Sequence, residues 1–454
     1  MAEEAWVKQV EQIVGPENWT AEVECLRSRG WEGPLPKALV HPANREQVCE
    51  LVRLASAERL RVAPAGGLTK QRMGGTPQPI DLMVSLRRLN RVTDYQAADL
   101  TVSAEAGLPF QELEATLRSQ GQMLHLDVPF AAEATVGGVL ATNSSGPRRL
   151  AYGSARDMVL GVHFVTAEGK LAKSGGKVVK NVAGYDMTKL LIGSSGTLGI
   201  LTDVTFRAFS IPPASLTLAL GFSAVQAALE ARNRILRSPF APQAMELLDA
   251  AACALLGDPV LPPTPFTLLV RTAGPEAVIE RVRRELPSLA GADRVTTTLS
   301  LTGEQELELW GRVQEFTPCF LRAHPEGAVV IKTSALLTQT GPMMEAAHRA
   351  ASRNGLATAT FVRAGIGIVF CYLWPLPESH GASSADRSAS ACGLLLQETD
   401  RLGGRAVVEW APAEVKKKIS VWGPLRDDFP IMQRLKAAWD PQGILNPGRF
   451  YGGI

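Results

Sequence analysis

The chain has 454 residues, of which 46% are hydrophobic and 20% charged, the balance of a soluble globular protein. Its length exceeds one ordinary hydrophobic core and predicts two or three domains. A formal net charge of only +2, with no Lys/Arg cluster alternating with aromatic residues, argues against a nucleic-acid partner. The longest apolar run, Ala364 to Trp374, falls far short of the ~20 residues needed to span a bilayer. The start, MAEEAWVKQVEQIV, is acidic and lacks the pattern of a secretion signal, so a cytoplasmic protein is expected. Cys25, Cys49, Cys253, Cys319, Cys371 and Cys392 are scattered, with no close pair to hold zinc or an iron–sulfur cluster. The histidines are equally dispersed, and no metal site built by this chain alone is expected.

In chain order, ALVHP (38–42) predicts a short strand, after which Asn44 caps a helix and Gln47 completes a capping box. Val48, Leu51, Val52 and Ala55 fall at i, i+3, i+4 and i+7, one apolar stripe. LRVAP (60–64) predicts a second strand, and the loop AGGLTKQRMGG (65–75) follows at once. LTVSAEA (100–106) reads as a strand. PFQELEATLRSQ (109–120) reads as a helix with proline at its start and Gly121 just past its end. A glycine-rich stretch, ATVGGVLATNSSGPRRLAYGSARD (134–157), leads into the apolar strand MVLGVHFVT (158–166) and a turn at Glu168-Gly169. In KNVAGYDMTKLLIGSSGTLGILTDVTF (180–206), Gly193, Gly196 and Gly199 stand between a short helical run and a buried strand.

Beyond Phe209 the texture changes. IPPAS (211–215) reads as a linker, and helices at 222–237, 275–288, 303–316, 338–353 and 385–402 alternate with strands at 266–272, 328–335, 357–363 and 366–373. This pattern predicts an α+β unit with an antiparallel sheet and helices on one face. Residues 376–390 read as an exposed polar loop, and the C-terminus as a helix followed by a proline- and glycine-rich tail.

Glycine costs roughly 0.5–1 kcal/mol relative to alanine within regular structure, so clusters of it need a cause. Loops at 65–75, 134–153 and 193–200 share one, since backbone N–H groups bind an anion only from close range. No Gly-x-x-x-x-Gly-Lys-Ser/Thr occurs, and Gly193, Gly196 and Gly199 are spaced wrongly for a dinucleotide fingerprint. Singly, each loop reads as turn chemistry. Together they point to one long ligand lying across all three.

AGGLTK (65–70), ATVGGVLATNSSGPRRLAYGSARDMVLGV (134–162), KNVAGYDMTKLLIGSSGTLGILT (180–202) and NPGR (446–449) together resemble the vanillyl-alcohol oxidase / p-cresol methylhydroxylase (PCMH) flavoprotein superfamily. Within it the resemblance is to the smaller FAD-binding chain of glycolate oxidase (glycolate dehydrogenase) complexes. It implies an α+β fold: a PCMH-type FAD-binding domain of two α/β subdomains over 32–211, preceded by a helical extension over 1–31. A second α+β cap domain, an antiparallel sheet flanked by helices, would span 215–405, with 406–454 returning to the FAD domain. The cofactor implied is FAD. Ala65, Gly66, Gly67, Leu68, Thr69 and Lys70 would wrap its pyrophosphate. Thr135, Val136, Gly137, Gly138, Ala141, Thr142, Asn143 and Gly146 would run beside the ribityl chain and ring, and Pro129, Tyr152 and Gly153 count among the implied cofactor-binding residues. Gly196, Thr197, Gly199 and Ile200 would lie near the adenine, with Asn446 from the far end of the chain. Asp186 reads as a structural helix cap. Relatives usually carry a third glycine at Leu68, so either the loop relaxes there or the cofactor binds less tightly. Arg72 and Met73 depart from the pattern too. No histidine lies in the loop, so the flavin is expected to be non-covalent.

The resemblance also implies what is missing. Relatives that oxidise 2-hydroxy acids carry a metal-binding histidine loop around Gly-Asp-Gly-Asn and a Glu-His-Gly segment. Here RAGIGIVFCYLW (363–374) holds no histidine or carboxylate, and in VVEWAPAEVKKKISVWG (407–423) Trp410 follows Glu409 where the histidine is expected. Lys332, Arg363, Glu409 and Lys416 are the remaining polar candidates, and no catalytic base is assigned. The implied partners are a larger paralogous FAD subunit that oxidises glycolate and an iron–sulfur subunit, with any membrane association peripheral and through that complex. Two alternatives stay open: an autonomous 2-hydroxy-acid dehydrogenase with unfamiliar residues, or a scaffold whose flavin site has decayed.

Overall fold

The computed structural model describes residues 2–31, 33–177, 185–291, 293–376 and 383–454. Residues 180–184 of the KNVAGYD motif and 377–382 of the expected polar loop lie outside them. The chain divides into two compact units, one of Met1–Ser145, Ser154–Ile211 and Pro424–Ile454, the other of Gly146–Gly153 and Pro212–Gly423.

The first unit holds two main sheets. In one, Ala38–Val40, Leu82–Ser85 and Val62–Ala65 run parallel in that order, with Trp19–Thr20 antiparallel at the outer edge. Parallel strands need cover on both faces. Ala63, Ala65 and Met83 pack with Val23, Leu26 and Trp31, while Val40, Val62 and Val84 on the alternate face are also fully buried. The helix Arg45–Glu58 follows the first strand. Asn44 Oδ1 accepts the Gln47 amide at 2.9 Å, the cap the sequence predicts, but Gln47 Oε1 accepts the Ala43 amide at 2.7 Å, one residue before the cap, so the expected capping box is not closed. The second sheet is antiparallel, in the order Val92–Gln96, Thr101–Glu105, Ile200–Arg207, Val159–Val165, Leu171–Gly175. The C-terminal helix Phe429–Trp439 lays Trp439 parallel to Phe164, ring centroids 5.8 Å apart. Leu445 then bridges Val62 in parallel, extending the first sheet.

The second unit is an eight-stranded antiparallel sheet. Its order is Thr297–Leu301, Ala214–Phe222, Phe266–Gly274, Ala244–Asp249, Leu356–Arg363, Ile368–Pro375, Val329–Ser334, Arg405–Trp410. Helices Val225–Leu236, Glu276–Gly291, Thr340–Arg353 and Ser384–Arg401 share one core with the sheet, through residues such as Ile235, Leu286, Ala347 and Leu395. Half of these strands are absent from the sequence reading. AMELLD (244–249) is buried at every position, so it lacks the alternation that marks a strand.

Two boundaries move. The expected return at 406 shifts to Pro424, because Arg405–Trp410 pairs with Val329–Ser334 in the second unit's sheet. Residues 1–31 are no separate extension, since they belong to the first unit, where Gln47 Nε2 donates to the Ile13 carbonyl at 2.8 Å. Among the described residues no helix is long and apolar enough to cross a membrane.

Asp249 ties the second unit together. Buried, it accepts the amide of Ala252 at 2.8 Å, the amide and hydroxyl of Thr360 at 2.7 and 2.6 Å, and pairs with His348 Nε2 at 3.1 Å. Asp249→Ala strands these buried donors and should cost at least about 2 kcal/mol. The check is a lower urea midpoint for the second unit, with the first unit's transition unchanged.

Candidate functional cleft

The cleft in the first unit is built at the end of the strand Val62–Ala65. Past Ala65 the loop is pressed against residues 133–135, where a Cβ on Gly66 would lie 2.0 Å from Thr135 Oγ1 and one on Gly67 1.8 Å from the Glu133 carbonyl oxygen. Glycine is required there by the contact of chain with chain. Among the described residues, the amides of Gly66, Gly67, Leu68 and Thr69 donate to no protein acceptor. Leu68 holds φ 62, so the loop does not relax around it. A leucine at positive φ costs about 1–2 kcal/mol. Its side chain packs half-buried against the apolar cluster that holds Val23, Leu26 and Trp31, which offsets that cost with part of the ~1.5–3 kcal/mol of a fully buried leucine.

The opposite wall is the short helix Val136–Ala141. Thr135 Oγ1 accepts the Gly138 amide at 3.4 Å, and the Gly137 amide donates to the Ala106 carbonyl at 2.7 Å. A Cβ on Gly137 would meet Ala106 Cβ at 2.8 Å, so this glycine serves the seam between helix and sheet instead of making room for a ring. The third segment turns three times, at Gly193 (φ 88), Ser195 (φ 54) and Gly196 (φ 73). It is tied down from the C-terminus. Asn446 Nδ2 donates to the Ser195 carbonyl at 2.7 Å, and Lys436 Nζ donates to the carbonyls of Thr197 and Leu445 at 2.8 and 2.9 Å. Burial pushes the Lys436 ammonium below its ordinary pKa, opposed by Asp440 at 2.6 Å. Asp440 also accepts the amides of Ile444 and Leu445 at 3.0 and 2.8 Å.

The three segments line one cleft, open to solvent. Ala65, Gly66, Gly67, Leu68, Thr69, Lys70, Pro129, Thr135, Gly137, Gly138, Ala141, Thr142, Gly196, Gly199 and Asn446 all line it. Val136, Asn143, Thr197 and Ile200 do not. Val136 and Ile200 are fully buried, Thr197 Oγ1 donates to the Ser194 carbonyl at 2.7 Å, and Asn143 (φ 48) turns the chain beyond the helix. Gly146, Tyr152 and Gly153 fall in the second unit, where the Tyr152 hydroxyl accepts from Gln243 Nε2 at 2.7 Å. Asp186 stands one residue before the helix cap, which is Met187, and its carboxylate accepts the Thr188 amide at 3.1 Å, a structural contact outside the cleft.

The sequence reading misses Trp31, Met73, Leu86, Val128, Leu201 and Arg449, which also line the cleft. Arg449, buried, donates to the Gly75 carbonyl at 3.3 Å and to Gln71 Oε1 at 3.1 Å. Its place within NPGR is the available signal. Mostly apolar walls with a few placed polar groups and one array of free amides suit a large ligand with an anionic middle.

The polar candidates of the second unit are paired. Lys332 Nζ lies 3.5 Å from Glu409 Oε1, and Arg363 Nη1 lies 3.3 Å from Glu246 Oε1 with its guanidinium over the Phe370 ring. Lys416 is buried in the short helix Ala413–Lys416. Among the described residues, no three His, Cys, Asp or Glu side chains gather as they would to hold a metal ion.

Comparison with known proteins matches residues 36–175 to the FAD binding domain family and residues 211–450 to the FAD linked oxidases, C-terminal domain. Glycolate oxidase subunit GlcD of Bacillus subtilis is 26% identical over 98% of this chain and 96% of its own length. Glycolate oxidase subunit GlcE of Escherichia coli is 38% identical, over 38% of this chain and 49% of its own length. In fold, p-cresol methylhydroxylase superposes with a TM-score of 0.79 at 16% identity, covering 99% of this chain and 97% of that one. The fold is therefore the PCMH-type flavoprotein fold and the cofactor is FAD, whose pyrophosphate suits the amides left without protein acceptors.

Asn446→Ala frees the carbonyl of Ser195 and should weaken FAD binding about threefold to tenfold, the worth of one hydrogen bond. Gly67→Ala drives the loop off Glu133 and should leave the chain colourless as purified. Both are read by the flavin-to-protein absorbance ratio and by titration of the stripped chain with FAD.

Proposed function

The chain belongs to the FAD-linked oxidases, and we propose that it serves as a flavin-holding subunit, of the GlcE kind, in a glycolate oxidase or glycolate dehydrogenase complex. It is an FAD-linked oxidoreductase of the group acting on CH–OH donors; the proposal concerns its place in such a complex. Bound FAD supplies a ring that takes up and returns electrons. In this reading the amides of Gly66 to Thr69 and the ammonium of Lys70 hold the pyrophosphate. Thr135 and the helix Val136–Ala141 flank the ribityl chain and ring. Gly196 and Gly199 line the adenine end, where they are glycine because a Cβ would strike Pro64 at 2.5 Å and Phe164 at 2.9 Å, and Asn446 and Lys436 brace that turn. No histidine, cysteine or tyrosine stands among the described residues lining the cleft, which favours a non-covalent flavin.

The observation that carries the subunit role is the pairing of charges on the second unit's sheet. A general base needs an accepting lone pair offered to the substrate's proton. Here Glu409 and Glu246 are each engaged by a cation, and Trp410 stands where the resemblance implies a histidine. A second flavoprotein would then oxidise glycolate, and an iron–sulfur subunit would take the electrons, with this FAD as relay or structural partner. The likeness to GlcE over 177 residues is in keeping with this.

A second reading is favoured by the full-length likeness to GlcD: a chain that oxidises a 2-hydroxy acid itself, using Arg363 or Lys332 to hold the carboxylate. The two part on one experiment. Purified alone and kept from oxygen, the chain should be yellow, release its flavin on acid precipitation, and keep its colour with glycolate or D-lactate. Bleaching by either substrate would overturn the subunit reading. Glu409→Ala should leave flavin content unchanged, since Glu409 lies outside the cleft; a colourless variant contradicts that placement.

A further inference from the structure

We infer that residues 23–31, with 33–35, form a brace for the FAD phosphate loop, and that Leu68 is the side chain through which the brace acts. The inference rests on the cofactor reading above. A left-handed residue turns successive amides toward one concavity, and at this loop that residue is Leu68, at φ 62. Glycine would adopt the same conformation without strain. Leucine adds a side chain that packs against a cluster made of Val23, Leu26 and Trp31 together with Ile80, Met83 and, from the strand leading into the loop, Ala63 and Ala65. Strand end and loop centre are thus pinned to one surface.

That surface is itself fixed. Trp31, buried and lining the cleft, donates its indole N–H to the Pro34 carbonyl at 2.9 Å, and Arg27 Nη1 donates to the Gly33 carbonyl at 2.8 Å. A second departure in the loop, Arg72, lies beside the same piece of chain: a Cβ on Gly30 would come within 3.7 Å of its Nε. Positions 68 and 72, on either side of Lys70, therefore both lean on the segment that precedes the first parallel strand. Of the three departures from the family pattern, at Leu68, Arg72 and Met73, the first packs on the brace and the second lies beside it, and neither of these signals decay of the site. Leu68 is a positioning residue: it acts on the cofactor through the direction it gives the loop's amides.

The test titrates the flavin-stripped chain with FAD, following flavin fluorescence, for wild type and five variants. Leu68→Ala keeps the strain and loses the docking, and should raise Kd about tenfold or more. Leu68→Met keeps an apolar side chain of similar reach and should stay within about twofold. Leu68→Gly, free of strain but undocked, should still bind about threefold more weakly than wild type. Leu26→Ala should raise Kd, and adding Leu68→Ala to it should cost less than the product of the two single effects. Leu113→Ala, a fully buried site on the helix Phe110–Arg118, should lower the melting temperature and leave Kd unchanged, separating positioning from general stability. If Leu68→Gly binds FAD as tightly as wild type or more so, or if the Leu26 and Leu68 effects simply multiply, the brace is overturned. A wild-type chain that binds no FAD sinks the cofactor reading itself and the brace with it.

Discussion

Four consecutive amides, from Gly66 to Thr69, end on no acceptor of the protein among the described residues, and much of the first unit holds them in that state. Backbone donors normally find partners in helix, sheet or turn, and leaving one unmet away from water costs about 1–3 kcal/mol. A loop free to choose would fold back on itself. This one cannot, because Gly66 and Gly67 are wedged against Thr135 and Glu133 at distances that exclude even a methyl group. The wedge sets the amides' direction, and the pyrophosphate of FAD is the partner that suits it, as an anion suits any array of preset N–H donors.

Segments far apart in the chain maintain that geometry. The strand feeding the loop is flanked by Leu82–Ser85 on one side and by Leu445 on the other, so residues near the C-terminus complete the sheet on which the loop stands. The same tail reaches the third segment through Asn446 and Lys436. Lys436 and Asp440 are both largely buried, yet the pair is well satisfied, because three carbonyl or carboxylate oxygens surround the ammonium and two amides meet the carboxylate. A buried pair of this kind fixes register more than it adds stability. Its role is to hold the carbonyls of Thr197 and Leu445 at one point in space.

How much of this is legible in the sequence follows from what each residue does. The Asn44 cap is legible because capping is local: donor and acceptor sit three residues apart. The convergence of the three glycine loops is legible as a group, since no single loop explains the others. The cause of each glycine is not. Gly137 looks like space for a flavin ring, but its missing Cβ faces Ala106, a residue thirty-one positions earlier that only the folded helix–sheet seam brings near. Trp31 and Leu86 escape for the same reason, lying outside every motif while the parallel sheet carries them to the cleft. Leu68 reads as a flaw in the sequence, because its strain is a local property and its compensation in Val23, Leu26 and Trp31 is not.

The charges of the second unit follow a related logic with a different result. Arg363 with Glu246 and Lys332 with Glu409 pair between neighbouring strands of one sheet, and Arg271 of that sheet pairs with Glu306 of the helix Gly303–Gln314. The first and third pairs are largely withdrawn from solvent, and Lys332 is partly exposed. Removing one member of a buried pair strands the other, at a cost of about 3–5 kcal/mol. Glu306 is held further by the hydroxyls of Ser215 and Thr217, and Thr217 in turn accepts the indole N–H of Trp310 at 2.7 Å. Groups bound into such networks are poor proton carriers, because a change of charge on one unbalances its neighbours. In the first unit the donors are left open toward a ligand, and in the second the charges are closed on one another. Open amides bind a cofactor whatever electron donor it meets, whereas closed ion pairs offer no obvious base for a substrate. That contrast makes a flavin holder the simpler reading of this chain than a self-sufficient hydroxy-acid oxidase.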